Sequence, residues 1–363
     1  MPGINCLKLD RSSLRNGNVP LICDNGLRFA PSVLGGRLSG RADSPRTLTS
    51  MTEQEVAPAP HPAAAASSSG LVLAGVTLVW MGAMLWSARA TITGRADVEM
   101  EVTSSAYAMP GAISAGLVAG STVALAVLAR LSRRREIGAT ARFAVATGSG
   151  LVIGLLGALV IVTINTEGWL YAVMGGTVAA AATIGGALAG VRIPRVVHAI
   201  GWASVAVFAV GLVLNLFQGP LLDALSSDQA QSRAGASQWL TYGQGFLSGL
   251  AAGLVAYVVL RRARRRSGGL DVPWALYGLA GAGAGLLLVI AEILTRTAGS
   301  RVLDLAGKVS ELELVVQQML SGARLNSALI VLFVGAITAT IAVGRTIAPA
   351  EEPDDAESPA SAS

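Results

Sequence analysis

Few residues in this sequence could do chemistry, and they are scattered. Glu292 is the only carboxylate inside a long apolar stretch, and Arg296 follows four residues later. That spacing puts both on one face of a helix, where they can form an ion pair. Ionisable groups within membrane segments are the usual pointers to ion pathways. Asn165, Glu167, Asn215, Gln218, Gln244 and Asn326 stand near the ends of other apolar stretches. With Glu292 they form a candidate polar vestibule. The competing reading is that they cap helix ends, which need polar partners in any case.

Catalytic patterns are missing. No GxSxG, HExxH or Walker A sequence occurs, nor paired aspartates or a Ser/His dyad within an apolar stretch. His61 and His198 share no stretch with a second ligand type, so no metal-binding spacing arises. Cys6 and Cys23 both precede residue 51 and form no CxxC pair. The expectation is a chain without a catalytic residue, a metal or a cofactor.

The elements that position these residues follow from composition. Of 363 residues, 52% are hydrophobic and only 13% charged, with 43 Gly and a mean hydropathy of +0.59. A soluble globular chain carries roughly 25% charge. A helix needs about 20 apolar residues to cross the hydrocarbon core. Eight stretches fit, at about 70–88, 110–129, 143–164, 169–191, 198–217, 240–260, 272–294 and 326–344. No alternation of the kind a membrane barrel shows is present, and lipid tolerates only helices or closed barrels. The fold class is therefore an all-α integral membrane protein with eight transmembrane helices.

Arginine sets the threading. The connections after the second, fourth and sixth stretches and the exit of the eighth hold 13 basic residues, including Arg130, Arg133, Arg192, Arg195 and the run RRARRR at 261–266. The opposite connections hold seven, spread over longer segments. Short basic connections stay in the cytoplasm. The expectation is a plasma-membrane protein with both termini cytoplasmic. Glu292 lies 19 residues beyond Pro273, about 28 Å along a helix, and so reaches the outer boundary. Trp86, Tyr107, Trp169, Tyr171, Trp239 and Tyr242 fall near outer boundaries, and Trp202, Tyr257, Trp274 and Tyr277 near inner ones. Trp80 is mid-span and reads as a packing residue.

The extramembrane parts are simpler. Residues 300–321 repeat apolar positions at helical spacing, which predicts an amphipathic helix on the outer side, with a shorter relative within 219–238. The ending 346–363 is acidic and rich in Pro and Ser, and 51–69 is a Pro/Ala/Ser-rich lead-in; both read as disordered. Residues 1–50 hold seven basic and three acidic residues and no apolar run. They read either as a basic arm or as sequence upstream of a natural start at Met51. The second is favoured, since nothing in 1–50 would bury a core. Residues 51–363 then carry 20 basic and 19 acidic side chains, close to neutral. The overall +5 is thus a threading signal, and nucleic acid is not an expected partner.

Glycine patterning suggests a duplication. GLVAG at 116–120 is echoed by GLAAG at 249–253; each precedes an arginine run and then a Gly-studded stretch, with Gly150-Leu151 answering Gly285-Leu286. Two parallel four-helix halves would result, an arrangement known in transporters. The pairs Gly116/Gly120, Gly150/Gly154, Gly245/Gly249/Gly253 and Gly281/Gly285 have the four-residue spacing that lets helices approach closely. Pro110 and Pro273 sit at span starts, so no broken helix is expected.

The partners implied are the lipid bilayer and, for the exposed glycine faces, another membrane protein or a second copy of this chain. The function this suggests is a permease-like carrier or flippase for a small or lipidic solute. The alternative is a non-catalytic scaffold or regulatory subunit of a membrane complex. The threading has a direct test, because no cysteine follows Met51. With Cys6 and Cys23 replaced, a cysteine at Ser267 is expected to resist impermeant thiol reagents in intact cells. Labelling there would overturn the orientation.

Overall fold

The computed structural model describes residues 63–93, 98–134, 138–163, 169–191, 193–225, 230–266, 273–300 and 311–346. Among these residues there is no strand. The helices are α1 (Ala63–Thr93), α2 (Val98–Leu131), α3 (Ala139–Val162), α4 (Trp169–Ala189), α5 (Pro194–Leu216), α6 (Gln218–Leu225), α7 (Ala230–Arg266), α8 (Trp274–Thr297) and α9 (Glu311–Gly344). All but the short α6 are long and apolar enough to cross a membrane. The chain is an all-α, multi-pass membrane protein. Residues 1–62 and 347–363, which include the extension and the acidic tail, lie outside the described residues, as do Asn165 and Glu167.

Local sequence explains where several helices begin, and the structure corrects it elsewhere: α1 begins at Ala63, inside the 51–69 lead-in read above as disordered. Pro273 caps α8 and Pro194 opens α5, positions where a missing N–H costs nothing. Pro110, expected at a start, lies inside α2 instead. The helix begins at Val98 and its apolar span already at Thr103, so Pro110 lies about two turns inside the span. Pro110 therefore offers no N–H to the carbonyl of Ala106. Residues 311–321 also depart from expectation. They are the first turns of α9, continuous with the eighth span, and no break sets them apart as a surface helix. The rest of that segment, 301–310, lies outside the described residues.

The spanning helices carry small residues inward and large ones outward. On α3, Ala146, Gly150, Gly154 and Gly157 are buried, while Leu151, Val152, Leu155, Leu156 and Leu159 are 43–63% exposed. Phe333, Ile337 and Ile341 form a similar outer ridge on α9. Apolar surface this continuous does not persist in water, so lipid covers it. Three of the boundary aromatic residues turn their rings inward. Tyr171, Tyr257 and Tyr277 are buried in the bundle, the last two with ring centroids 6.2 Å apart. Trp86, Trp169, Trp239 and Trp274 stay exposed near helix ends.

Two sets of four helices repeat one packing scheme. In the first, α2 packs on α1, α3 and α4, and α3 packs on α4; in the second, α7 packs on α5, α8 and α9, and α8 on α9, with the difference that α5 also packs well on α8 whereas α1 barely touches α3. Among the described residues, α1 does not reach α4, nor α5 α9. The glycine contacts correspond residue by residue. Gly116 meets Val178 and Gly120 meets Ala182; 133 residues on, Gly249 meets Val334 and Val331, and Gly253 meets Gly335. Gly150 faces Ala182 and Gly186, as Gly281 faces Gly335 and Ala339. Gly154 faces Ala179, as Gly285 faces Leu332. The counterpart of Gly150 is thus Gly281, one helical turn from the Gly285 that dipeptide matching suggests. Gly245, at the other end of its row, lies against Ser327 and Ile330.

The two sets dock through α2, whose apolar stretch is 78% buried against 50% or less for every other span. Leu287 and Ala291 of α8 join Met109, Ile113 and Leu117 of α2 in one buried cluster. Gly201 of α5 sits against Leu73 and Thr122. The His198 imidazole is hydrogen-bonded to the backbone of Ser69, tying α5 to α1.

The glycine rows predict a sharp contrast. A Cβ at Gly120 would overlap the Ala182 carbonyl, and at Gly281 the Gly335 carbonyl, whereas at Gly82 it meets nothing. Gly120→Val and Gly281→Val are each expected to cost about 1–3 kcal/mol or more. Gly82→Ala should be neutral or stabilising by about 0.5–1 kcal/mol. Melting of the purified protein, followed by tryptophan fluorescence, checks all three.

Candidate functional site

One charged cluster joins α8 to α9 at the end of the bundle away from the arginine-rich connections. Glu292, near the last turn of α8, is 4% exposed. Arg296, one turn on, donates from Nε to Oε1 at 3.1 Å, so the i,i+4 pair forms. The second half of the arrangement comes from α9. Arg324 donates from Nε to Oε2 at 3.0 Å, and the Ser321 hydroxyl donates to Oε1. Arg296 also donates from Nη2 to the Ser321 carbonyl at 2.9 Å. Ser321 and Arg324, three residues apart, share the face of α9 turned to α8. A buried carboxylate is tolerated only when paired and hydrogen-bonded, and this one has two guanidinium partners and a hydroxyl.

The remaining vestibule residues are less closely engaged. Asn215, Gln218 and Asn326 are exposed, and Gln244 is half-buried with its amide nitrogen beside Gly211. None of the four forms a side-chain hydrogen bond among the described residues. Of the described vestibule residues, Glu292 is the one drawn into a network.

A second feature lies on the seam between the two helix sets. A cavity of about 110 Å³ is bounded by Val76, Thr77 and Trp80 of α1, Val118 of α2, and Phe208 and Ala209 of α5, among others. A smaller one of about 10 Å³ lies between α2, α5 and α8, roughly the size of one water. Val76 and Leu212 at the edge of the larger cavity are 38% and 47% exposed, so it opens toward lipid. Trp80 stacks on Phe208 across the seam, with centroids 5.2 Å apart and planes 21° from parallel, which bears out its reading as a packing residue. Its Nε1 is buried without a hydrogen-bond partner among the described residues. Buried indole N–H groups usually have one. The hydroxyls nearby are satisfied: Thr77 and Thr122 bond each other at 2.6 Å and their own helix carbonyls.

Mid-span hydroxyls elsewhere are closed on their own helices: Ser149 on Ala146, Thr177 on Met174 and Ser204 on Ile200. Among the described residues, no group of three or more His, Cys, Asp or Glu could hold a metal ion. Compared with protein-family models, with curated proteins and with solved structures, the chain matches none.

Sequence spacing finds the Glu292–Arg296 pair but misses Ser321 and Arg324, because i,i+4 arithmetic sees only one helix at a time. The seam residues Trp80 and Phe208 are missed for the same reason. The cluster makes an asymmetric prediction. Arg296→Gln with Arg324→Gln strands a buried carboxylate and should cost about 3–5 kcal/mol. Glu292→Gln frees two guanidiniums that already reach solvent and should cost less, about 1–3 kcal/mol. Comparing melting of the two variants with the parent protein checks the order.

Proposed function

We propose that this protein is a carrier or flippase of the plasma membrane for a small, largely apolar or lipidic solute, threaded with both termini cytoplasmic. The observation that carries the reading is the apolar cavity on the seam between two similarly packed helix sets. Close glycine contacts make each set a tight unit, and the cavity lies where α1 and α2 of one set meet α5 of the other. A cavity at the seam that opens toward lipid is where a membrane-dissolved solute would enter. Repeat interfaces are the usual place for transporter sites.

The lining also describes the solute. Hydrocarbon side chains and aromatic rings favour an apolar solute. Among the described residues, the middle of the bundle offers no carboxylate for coupling to protons or sodium. The reading is therefore an uncoupled facilitator.

Ala209 lines the cavity from its exposed side. Ala209→Trp is expected to fill it without disturbing the glycine contacts and to lower flux of a fluorescent phospholipid in proteoliposomes about tenfold or more. Asn215→Ala, at the end of α5, is expected to leave the rate unchanged. Undiminished flux in Ala209→Trp, or loss of flux in Asn215→Ala, would move the pathway away from the seam. No flux in the parent protein would favour a scaffold.

A further inference from the structure

Beyond the seam, the Glu292 cluster carries a conclusion that stands whether or not the chain moves a solute. We propose that Arg296 and Arg324 form a binding site for a phosphate group, with Glu292 as the positioning residue. One carboxylate and two guanidiniums leave the cluster one positive charge in excess. Its charges are sorted by depth: the carboxylate is 4% exposed, while the Arg296 and Arg324 side chains are 43% and 31% exposed. The negative charge lies inside, and the positive charge faces the solvent or headgroup layer.

The donors that remain are the ones a phosphate needs. Each arginine spends its Nε on Glu292, and Arg296 spends Nη2 on the Ser321 carbonyl. Nη1 of Arg296 and both terminal nitrogens of Arg324 have no hydrogen-bond acceptor among the described residues. Because both side chains are tethered to one carboxylate, the two forks are held side by side. Their ordering is settled before a ligand arrives, which lowers the entropic cost of binding. Guanidinium forks match phosphate oxygens, and a lysine ammonium in the same place would act only as a point charge.

Location narrows the source. Arg296 is in the last turn of α8, and Arg324 lies on the paired α9 at the same end. Headgroup layers flank the hydrocarbon on both faces of a bilayer, so a half-exposed arginine pair at a helix end lies at the depth of phospholipid phosphates. A soluble phosphate monoester presents the same oxygens, so the two sources are separated by experiment.

The full chain is placed in nanodiscs of phosphatidylcholine alone, or of phosphatidylcholine mixed with phosphatidylglycerol. Retained lipid is read by native mass spectrometry, and melting is followed with and without inorganic phosphate. Phosphatidylglycerol is expected to be retained preferentially, and that preference should fall about tenfold in the Arg296→Lys/Arg324→Lys variant, which keeps the charge and loses the forks. Glu292→Gln increases the local positive charge yet should also weaken retention, whereas simple charge attraction would strengthen it. Melting in phosphatidylcholine alone shows whether each variant is folded. Stabilisation by inorganic phosphate, lost in the lysine variant, would assign a soluble ligand; lipid retention without it would assign a headgroup. Equal retention in the parent and the lysine variant, with no response to phosphate, would overturn the site.

Discussion

Helix packing in this protein depends on the approach of backbones at two carbonyls. Lipid tails are as apolar as leucine side chains, so burying leucine gives no net drive for one spanning helix to find another. What remains is dispersion at short range, and that requires small residues. At Ala182, glycines from two helices, Gly120 and Gly150, close on the same carbonyl of α4. At Gly335, Gly253 and Gly281 do the same on α9. Each three-helix junction is tight enough that a single Cβ would collide with it. Placing large side chains on the outside follows directly, since only lipid has room for them.

A cavity lies on the seam, where α1, α2 and α5 meet through Leu73, Gly201 and the Trp80–Phe208 stack. The sets do not dock as mirror partners. α2 is largely enclosed, whereas its counterpart α7 has only 39% of its apolar stretch buried. An asymmetric seam gives its cavity a distinct, apolar lining that includes Trp80 and Phe208. The charged cluster is the complementary case. It sits at a helix end, where guanidiniums reach polar surroundings while holding one carboxylate in place.

How much of this was legible in the sequence depends on the range of each interaction. The eight spans were readable because crossing hydrocarbon imposes a length that composition reveals. The Glu292–Arg296 pair was readable because both partners lie on one helix. The duplication could be suspected from GLVAG and GLAAG, but its register could not. The local dipeptide Gly285-Leu286 resembles Gly150-Leu151, while the helix contacted makes Gly281 the true counterpart. Pro110 was misplaced because the apolar span begins earlier, at Thr103, and the helix earlier still. The inward turn of Tyr171, Tyr257 and Tyr277 was missed because a boundary position does not say which face a residue occupies.

The sequence by itself determined that this is a polytopic helical membrane protein, how its charge is distributed along the threading, and which glycines lie in rows. Hydropathy, net charge and four-residue spacing are local or additive properties, so one chain read in order contains them. Only the tertiary structure decided that Arg324 and Ser321 complete the Glu292 cluster, that Trp80 meets Phe208, and that the seam holds an apolar cavity. Those outcomes depend on which helix faces which. In a membrane that choice rests on short-range fit between small residues distant in the chain, which no linear period encodes.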